Sequence, residues 1–386
     1  MKKSSHRFSE KDMKTRTSLL MRIVWLSGLI LATAAGARLV SAADVPGPIA
    51  ARYNNDLGIA SDSDVIFSDD FESWTEDGTQ PPPGKWSVRK NKISLTHLVQ
   101  GNVPARGLSG PGENVLRIAC WTQGKGSQAG GLSLKLGNYN HANEGLGDGY
   151  EDLYIRYYIK FGDNYHAVRN HGANLGGRDV TRSDAAWVGM AGIRDVSTRG
   201  YFYSGVQPRG KSPSRELEMG FYSYHLDKKG PWGENYDVKE RIVITPGVWH
   251  CIERHMKLNS VDPGKNDGNF DGIEELWVDG KLTIRREGVR FRRVRHLRIT
   301  YFSLEAYYHG LPQEYSRDNP IEVYFDNVVI ARKYIGPLGE QTLQSRQEFV
   351  KTPCRAADAG HATRHNRRGH KQQETAGRPP PTGRDA

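Results

Sequence analysis

Apolar and polar residues alternate along most of the middle of the chain. In Tyr154-Ile155-Arg156-Tyr157-Tyr158-Ile159-Lys160-Phe161, one face carries Ile155, Tyr157, Ile159 and Phe161, and the other Tyr154, Arg156, Tyr158 and Lys160. Leu217, Met219 and Phe221 alternate with Glu218, Tyr222 and Tyr224. Ile252, Met256 and Leu258 oppose Glu253, His255 and Lys257; Phe302, Leu304 and Ala306 oppose Tyr301, Ser303, Glu305 and Tyr307. A period of two is the signature of strands with one buried face, and no segment keeps an apolar period of 3.6 over helical length. The Asp279-Gly280 pair predicts a tight hairpin, and the stretch from Asp262 to Gly272 a long turn before it. The pattern predicts one large all-β domain over 65–337.

The flanks read differently. A basic leader precedes the apolar run Ile23 to Ala35, followed by Val40-Ser41-Ala42. The run is shorter than the ~20 residues of a membrane span, so residues 1–42 read as a secretory signal peptide. A secreted or periplasmic monomer with no membrane span after cleavage is expected. Residues 43–64 read as a linker, and 338–386, rich in Arg, His, Gly and Pro, as a disordered basic tail. Histidines 361, 365 and 370 fall in that tail. Residues 1–42 carry 8 Lys/Arg against 2 Asp/Glu and 338–386 carry 9 against 5, so the net charge of +10 sits at the ends and 43–337 is neutral. Overall basicity therefore implies no polyanion partner, and no nucleic-acid motif accompanies it. Locally, Arg285, Arg286, Arg290, Arg292, Arg293, Arg295 and Arg298 crowd together, either as a solvated surface or as a groove for an acidic polymer. Of three cysteines, Cys354 lies in the tail; Cys120 and Cys251 are either one disulfide or two buried thiols.

The second faces of the strands hold Tyr, His, Glu, Arg and Lys rather than the Thr and Ser of a plain wet sheet. Gathered on one sheet, they would build an aromatic, polar wall suited to a sugar polymer: rings stack on pyranose faces, and charged groups bind hydroxyls or carboxylates.

Several motifs occur in a familiar order. Ser68-Asp69-Asp70-Phe71-Glu72-Ser73 and Trp86 open the domain. Asp152-Leu153-Tyr154-Ile155-Arg156 follows, then Cys251-Ile252-Glu253-Arg254-His255 with Asp271-Gly272 and Glu275-Leu276-Trp277. Glu305-Ala306-Tyr307 and Tyr324-Phe325-Asp326 close it. The set resembles the core domain of the cellulose-induced secreted proteins, a family of concanavalin A-like β-jelly rolls near the glucuronan lyases. The resemblance implies a sandwich of two antiparallel sheets and a structural calcium. Position by position, it places the calcium on Glu72, Asn114 and Asp326, with Ser109 as a weaker ligand. Hard carboxylate and amide oxygens suit that ion. Asp267-Gly268-Asn269-Phe270-Asp271-Gly272 starts like an EF-hand loop, but Val278 stands where its last acidic ligand belongs, so it reads as a polar turn.

Glu274 and Glu275 are adjacent and point to opposite faces, so they cannot flank one glycosidic bond. A lyase for a uronic-acid polysaccharide needs a carboxylate neutraliser, a base and an acid. Arg156 and Gln207 are the candidate neutralisers, His255 or His171 the base, and Tyr203, Tyr222, Tyr224 or Tyr307 the acid. Gln207 resembles the end of a family strand lining the cleft, although Tyr203 replaces that strand's Arg. Tyr203, Glu218, Glu253, Lys257, Glu305 and Tyr307 are the expected substrate contacts. The expected function is β-eliminative cleavage of an acidic polysaccharide. A non-catalytic carbohydrate-binding module and a glycoside hydrolase are the alternatives.

Overall fold

Strands begin where the alternating runs do. The computed structural model describes residues 47–74, 86–89, 94–100, 114–122, 128–137, 148–165, 170–178, 200–209, 217–230, 232–236, 243–265, 267–308 and 310–338. The expected signal peptide, Ser109, Cys354 and the residues from 339 onward lie outside the described residues. In chain order the strands are β1 (Val65–Asp69), β2 (Trp86–Arg89), β3 (Ser94–Gln100), β4 (Asn114–Cys120), β5 (Gln128–Lys135), β6 (Asp152–Phe161), β7 (Asn170–His171), β8 (Ala173–Arg178) and β9 (Tyr201–Arg209). They continue with β10 (Leu217–Tyr224), β11 (Glu234–Tyr236), β12 (Val243–Ile244), β13 (Trp249–Lys257), β14 (Gly272–Val278), β15 (Lys281–Val289), β16 (Tyr301–Tyr308) and β17 (Ile321–Ala331).

Two antiparallel sheets result. One runs β15-β14-β13-β6-β17-β4-β3, with β1 also on β17; the other runs β11-β10-β9-β8-β16-β5-β2, with β12 on β10 and β7 on β16. This is a jelly-roll sandwich, as the resemblance implies, built from the strands that the alternation predicts. Ile155, Tyr157, Ile159, Ile252 and Met256 from the eight-stranded sheet meet Phe202, Val206, Phe221, Phe302 and Leu304 from the nine-stranded sheet in one core. Each such side chain removed from water stabilises the fold by roughly 1.5–3 kcal/mol. Asp279 (φ 51°) and Gly280 (φ 79°) turn β14 into β15 with the left-handed pair that a two-residue hairpin requires.

The core also contains a polar staple. Arg254 on β13 donates to the Ser204 carbonyl at 2.8 Å and to its hydroxyl at 2.9 Å on the opposite sheet. The same hydroxyl donates to Glu274 on β14. Arg254 and Glu274 are fully buried, so their charges depend on one another and on these bonds.

Three expectations are corrected here. Residues 43–64 are not all linker: from Pro48 the chain forms short 3-10 turns, and Ile49, Ala50 and Ile59 pack with Val329, Ala331 and Ile335 on the outer face of the eight-stranded sheet. The stretch around His171, whose glycines read as a loop in the sequence, forms the strands β7 and β8. At the far boundary, Leu338 is buried and its N–H donates to the Tyr158 hydroxyl at 2.9 Å, so packed chain extends one residue past 337. Cys120 and Cys251 are free thiols. Cys120 faces the core, whereas Cys251 is on the outer face. β6 and β17 separate their strands, a distance of about 14 Å at ~4.8 Å per strand, beyond disulfide reach.

Candidate functional site

The expected site residues divide between two faces that point away from each other. Even-numbered positions of β6 and odd-numbered positions of β13 occupy the outer face of the eight-stranded sheet, because their alternates fill the core. Arg156, Glu253, His255 and Lys257 therefore lie there. They cannot join Tyr203, Gln207, Tyr222 and Tyr224, which lie on the outer face of the other sheet. The single wall that sequence alternation suggested is two walls, and the paired assignment of His255 and Tyr222 fails.

The first wall is structural. Arg156 is fully buried and donates to Asp56 from both terminal nitrogens, at 3.1 Å to Oδ1. Burial lowers its pKa, but the Asp56 charge more than offsets this and holds the guanidinium ionised. Glu253 accepts the Ile335 and Gly336 N–H groups at 2.7 Å each. Burial pushes its pKa up to about 7, against the lowering effect of those two bonds. The ring of His255 stacks on Tyr154 at 4.1 Å, with Nδ1 on Glu275 at 2.6 Å and Nε2 on Asp152 at 2.7 Å. Both ring nitrogens are thus engaged by carboxylates. Lys257 is exposed and paired in register with Asp152. Arg156 and Glu253 thus fasten the flanking segments to the sheet, and His255 ties β13 to β14 and β6.

The second wall gathers tyrosines and amides across a row of glycines. Tyr222 stands opposite Gly205, Tyr203 and Tyr301 opposite Gly176, Gln207 opposite Gly220, and Glu305 opposite Gly131. Large side chains thus alternate across the sheet with positions that have none. A side chain at two of these positions would disturb the cluster: a Cβ at Gly205 would lie 2.6 Å from Asn174 Oδ1 and 2.9 Å from the Tyr203 hydroxyl. At Gly176 it would lie 2.7 Å from the Tyr301 hydroxyl.

Tyr203 donates to Asn174 Oδ1 at 2.5 Å, and Asn174 Nδ2 donates to Ser303 Oγ at 3.2 Å. Gln207 Nε2 donates to Asn235 Oδ1 at 3.3 Å, and its buried Oε1 has no hydrogen-bond partner among the described residues. The Tyr201 and Tyr301 hydroxyls are 3.2 Å apart, and those of Tyr222 and Tyr224 are 3.4 Å apart. Tyr203 and Tyr222 each meet the Tyr224 ring edge-on, at 5.9 and 5.7 Å. Burial, then the like charge of Glu305, raises the Tyr203 pKa well above 10, so its phenol stays protonated. Glu218 and Tyr307 share this sheet, and the backbone of His171 pairs with Tyr307. Asn174 was not singled out in the sequence because Ala173–Arg178 lacks the apolar alternation of a strand. Its glycines at 176 and 177, each in close contact with neighbouring backbone, are the only local sign.

The arginine cluster does not form an open groove. Arg285 pairs with Glu275 and Glu287, Arg286 with Glu274, Arg290 with Asp227 and Asp267, and Arg292 and Arg298 with Glu151. Arg295 donates to the Val261 carbonyl at 2.8 Å. In the EF-hand-like stretch, Asp271 accepts the Ser260 N–H at 2.8 Å and Asn269 donates to Asp262 at 3.0 Å, as in a polar turn.

The expected calcium ligands meet where β17 changes neighbours. β4 pairs with β17 up to Phe325 and β1 pairs with it from Val328. The gap between them faces a bulge at Asp326 and Asn327, where Asn327 has φ 45°. Across the gap Glu72 accepts the Asn114 N–H at 2.9 Å, and Asn114 Nδ2 lies 3.5 Å from the Phe71 carbonyl. Burial raises the Asp326 pKa well above 3.8, and the charges of Asp70 and Glu72 add to the rise. Both side-chain polar atoms of buried Asn327 have no hydrogen-bond partner among the described residues. The donors are hard oxygens with excess negative charge, which suits Ca²⁺. Among the described residues, no three His, Cys, Asp or Glu side chains converge on one point.

No protein-family model matches the sequence, and no curated protein does. Solved structures do. The alginate lyase vAL-1 from Chlorella virus is 17% identical, covers 70% of this chain and all of its own, and has a TM-score of 0.46. An endo-β-1,4-glucuronan lyase from the fungus Trichoderma reesei is 14% identical over 70% of this chain and 96% of its own, with a TM-score of 0.43. The cellulose-induced protein Cip1 is 14% identical over 70% of this chain and 99% of its own, with a TM-score of 0.40.

Proposed function

We propose that the chain is a secreted polysaccharide lyase that cleaves a uronic-acid polymer by β-elimination in the groove of the nine-stranded sheet. The observation that supports this most directly is the short hydrogen bond from Tyr203 to Asn174 on a face that carries glycines, beside a Gln207 amide oxygen that has no partner among the described residues and can accept from a sugar hydroxyl.

In such a reaction a base takes the proton alpha to the uronate carboxyl. The bond from the beta carbon to the glycosidic oxygen breaks, the carbon–carbon double bond forms, and an acid protonates the departing oxygen. A tyrosine whose pKa is held high is a poor base but remains a loaded acid, so Tyr203 takes the acid's role. Asn174 Nδ2 and Gln207 Nε2 each donate one N–H within the sheet and carry a second N–H that can donate to the substrate carboxyl and stabilise the enolate-like charge. His171 takes the base's role, since its backbone lies across from Tyr307 on the same sheet. The groove tyrosines supply faces for sugar rings. Glu72, Asn114 and Asp326 are proposed to hold a calcium ion that fastens β1 and β4 to β17, far from the chemistry.

A panel of uronic-acid polymers, followed by the ultraviolet absorbance of the unsaturated product, tests the reading. The wild-type chain should produce it on at least one polymer, and Tyr203→Phe should slow it by at least ~10²-fold. Retardation in polysaccharide gels with no absorbing product would indicate a binding module, and saturated reducing ends a hydrolase.

A further inference from the structure

His225 follows β10 directly and is buried, yet its ring is offered two incompatible partners. Nε2 lies 2.8 Å from Arg286 Nη2 on β15 and 3.1 Å from Glu234 Oε2 at the start of β11. A guanidinium only donates, and a carboxylate only accepts. Nε2 can therefore bond Arg286 only as a bare acceptor, and Glu234 only as an N–H. In the neutral ring that accepts from Arg286 the proton sits on Nδ1, which is buried with no hydrogen-bond partner among the described residues. One added proton reverses the choice. Nε2–H then donates to Glu234, and Arg286 loses its acceptor and faces a like charge.

The ring is faced by Glu234 from β11, Arg286 from β15, Glu274 from β14 and Asp227 from its own turn, the last engaged by Arg290. Arg286 also approaches Glu274 Oε2 at 3.5 Å and stands 5.2 Å from the Tyr236 ring centroid. Burial, then the Arg286 charge, lowers the His225 pKa from 6.5 against the raising effect of Glu234 and Glu274, so the ring is neutral at pH 7. These contacts reach the groove through β11. Glu234 and Tyr236 flank Asn235, which points to the opposite face. There Asn235 accepts from Gln207 Nε2 at 3.3 Å, and its backbone pairs with Tyr222. A shift of Glu234 and Tyr236 carries Asn235 with it.

We propose that His225 is a proton-operated latch on the groove. Neutral, it accepts from Arg286 and holds β11 against β15. Protonated, it releases Arg286, draws Glu234 to itself and displaces Asn235 from Gln207. The effect on binding rests on the groove being the polysaccharide site; the latch itself does not, and neither needs a reaction to occur there.

Exchange of the histidine C2 hydrogens of the full chain, read by mass spectrometry across pH, gives the titration midpoint of His225. Arg286→Met should raise that midpoint and Glu234→Gln lower it; no change, or the opposite sign, in Arg286→Met overturns the proposal. Retardation in alginate gels should weaken below the midpoint by up to about ten-fold per pH unit, the limit for one linked proton. His225→Gln keeps an acceptor for Arg286 but does not titrate, so its retardation should lack that fall; an equal fall overturns the control of the groove. If alginate retards the wild type at no pH, the groove reading loses its support and backbone exchange over residues 232–236 decides the latch. Corrected for intrinsic rates, protection there should drop on acidification in the wild type and not in His225→Gln; no drop in the wild type, or the same drop in both, overturns it. Thermal melting at pH 7 confirms that each variant is folded, and should His225→Gln not fold, the opposed shifts of Arg286→Met and Glu234→Gln carry the test. Absence of unsaturated product from every polymer removes the lyase reading and leaves these outcomes unchanged.

Discussion

Replacing Asp56 tests whether Arg156 is a structural cation rather than a catalytic one. Both side chains are fully buried, and Asp56 takes up both terminal guanidinium nitrogens. Without that carboxylate, Arg156 retains only the carbonyls of Gly336 at 3.4 Å and Asn327 at 3.3 Å. Removing one partner of a buried ion pair costs about 3–5 kcal/mol, because the other charge is left unpaired out of water. Asp56→Asn is the appropriate change: Asp56 has φ 60°, and Asn tolerates that left-handed conformation where Ala would add strain. Asp56→Asn and Arg156→Met should each lower the unfolding free energy by about 3 kcal/mol or more. The double variant, which buries no unpaired charge, should cost much less than the sum, with a coupling of about 2 kcal/mol or more. Urea unfolding at neutral pH, with the slope checked for constancy, reads all three. The folded double variant should still release unsaturated product on a substrate the wild type cleaves. Strict additivity, or a loss below about 1 kcal/mol for Asp56→Asn, would refute the ion-pair reasoning. A folded but inactive double variant would return Arg156 to the chemistry.

Three further outcomes are expected. Glu253 has its pKa raised to about 7, so between the ordinary carboxylate range and pH 7 the folded chain keeps a proton that the unfolded chain has released. Stability should therefore fall as pH rises through roughly 4.5–7, by roughly 3 kcal/mol at most from this group, and Glu253→Gln should flatten that slope in urea titrations. Calcium should raise the melting midpoint, with a gain near 2.7 kcal/mol at ~100 times its Kd; Asp326→Asn or Glu72→Gln should abolish the response, and a wild-type midpoint indifferent to both calcium and chelator would count against the site. Gly205→Ala drives a methyl between Asn174 and the Tyr203 hydroxyl, so turnover should drop by at least ~10²-fold if their hydrogen bond positions the acid, with near-wild-type activity as the adverse result.

Local pattern carried much of this architecture. A side-chain period of two set which residues of β6, β10, β13 and β16 enter the core, and Asp279-Gly280 set a hairpin, because both depend on neighbours along the chain. Burial of those faces then required two packed sheets. The first acidic segment and the bulged end of β17 are also adjacent as expected, since terminal strands of such a sandwich pair. What alternation could not supply is which sheet a strand joins. Arg156 and His255 have the same polar-face pattern as Tyr203 and Tyr222, yet strand order puts them on opposite sides of the molecule. There the 48–62 segment and residues 334–338 cover Arg156 and Glu253, turning a candidate catalytic group and an expected substrate contact into anchors.

Asn174 shows the converse. Nothing in Ala173–Arg178 looks like a strand by itself; pairing between β9 and β16 makes it one and brings its amide to Tyr203. The sequence alone determined that this chain alternates, folds as β-structure and presents tyrosines and ionisable groups on the faces left over. Only the tertiary structure decided which of those groups share a surface, because sheet membership depends on pairing between distant segments, and that pairing leaves no mark on either segment alone.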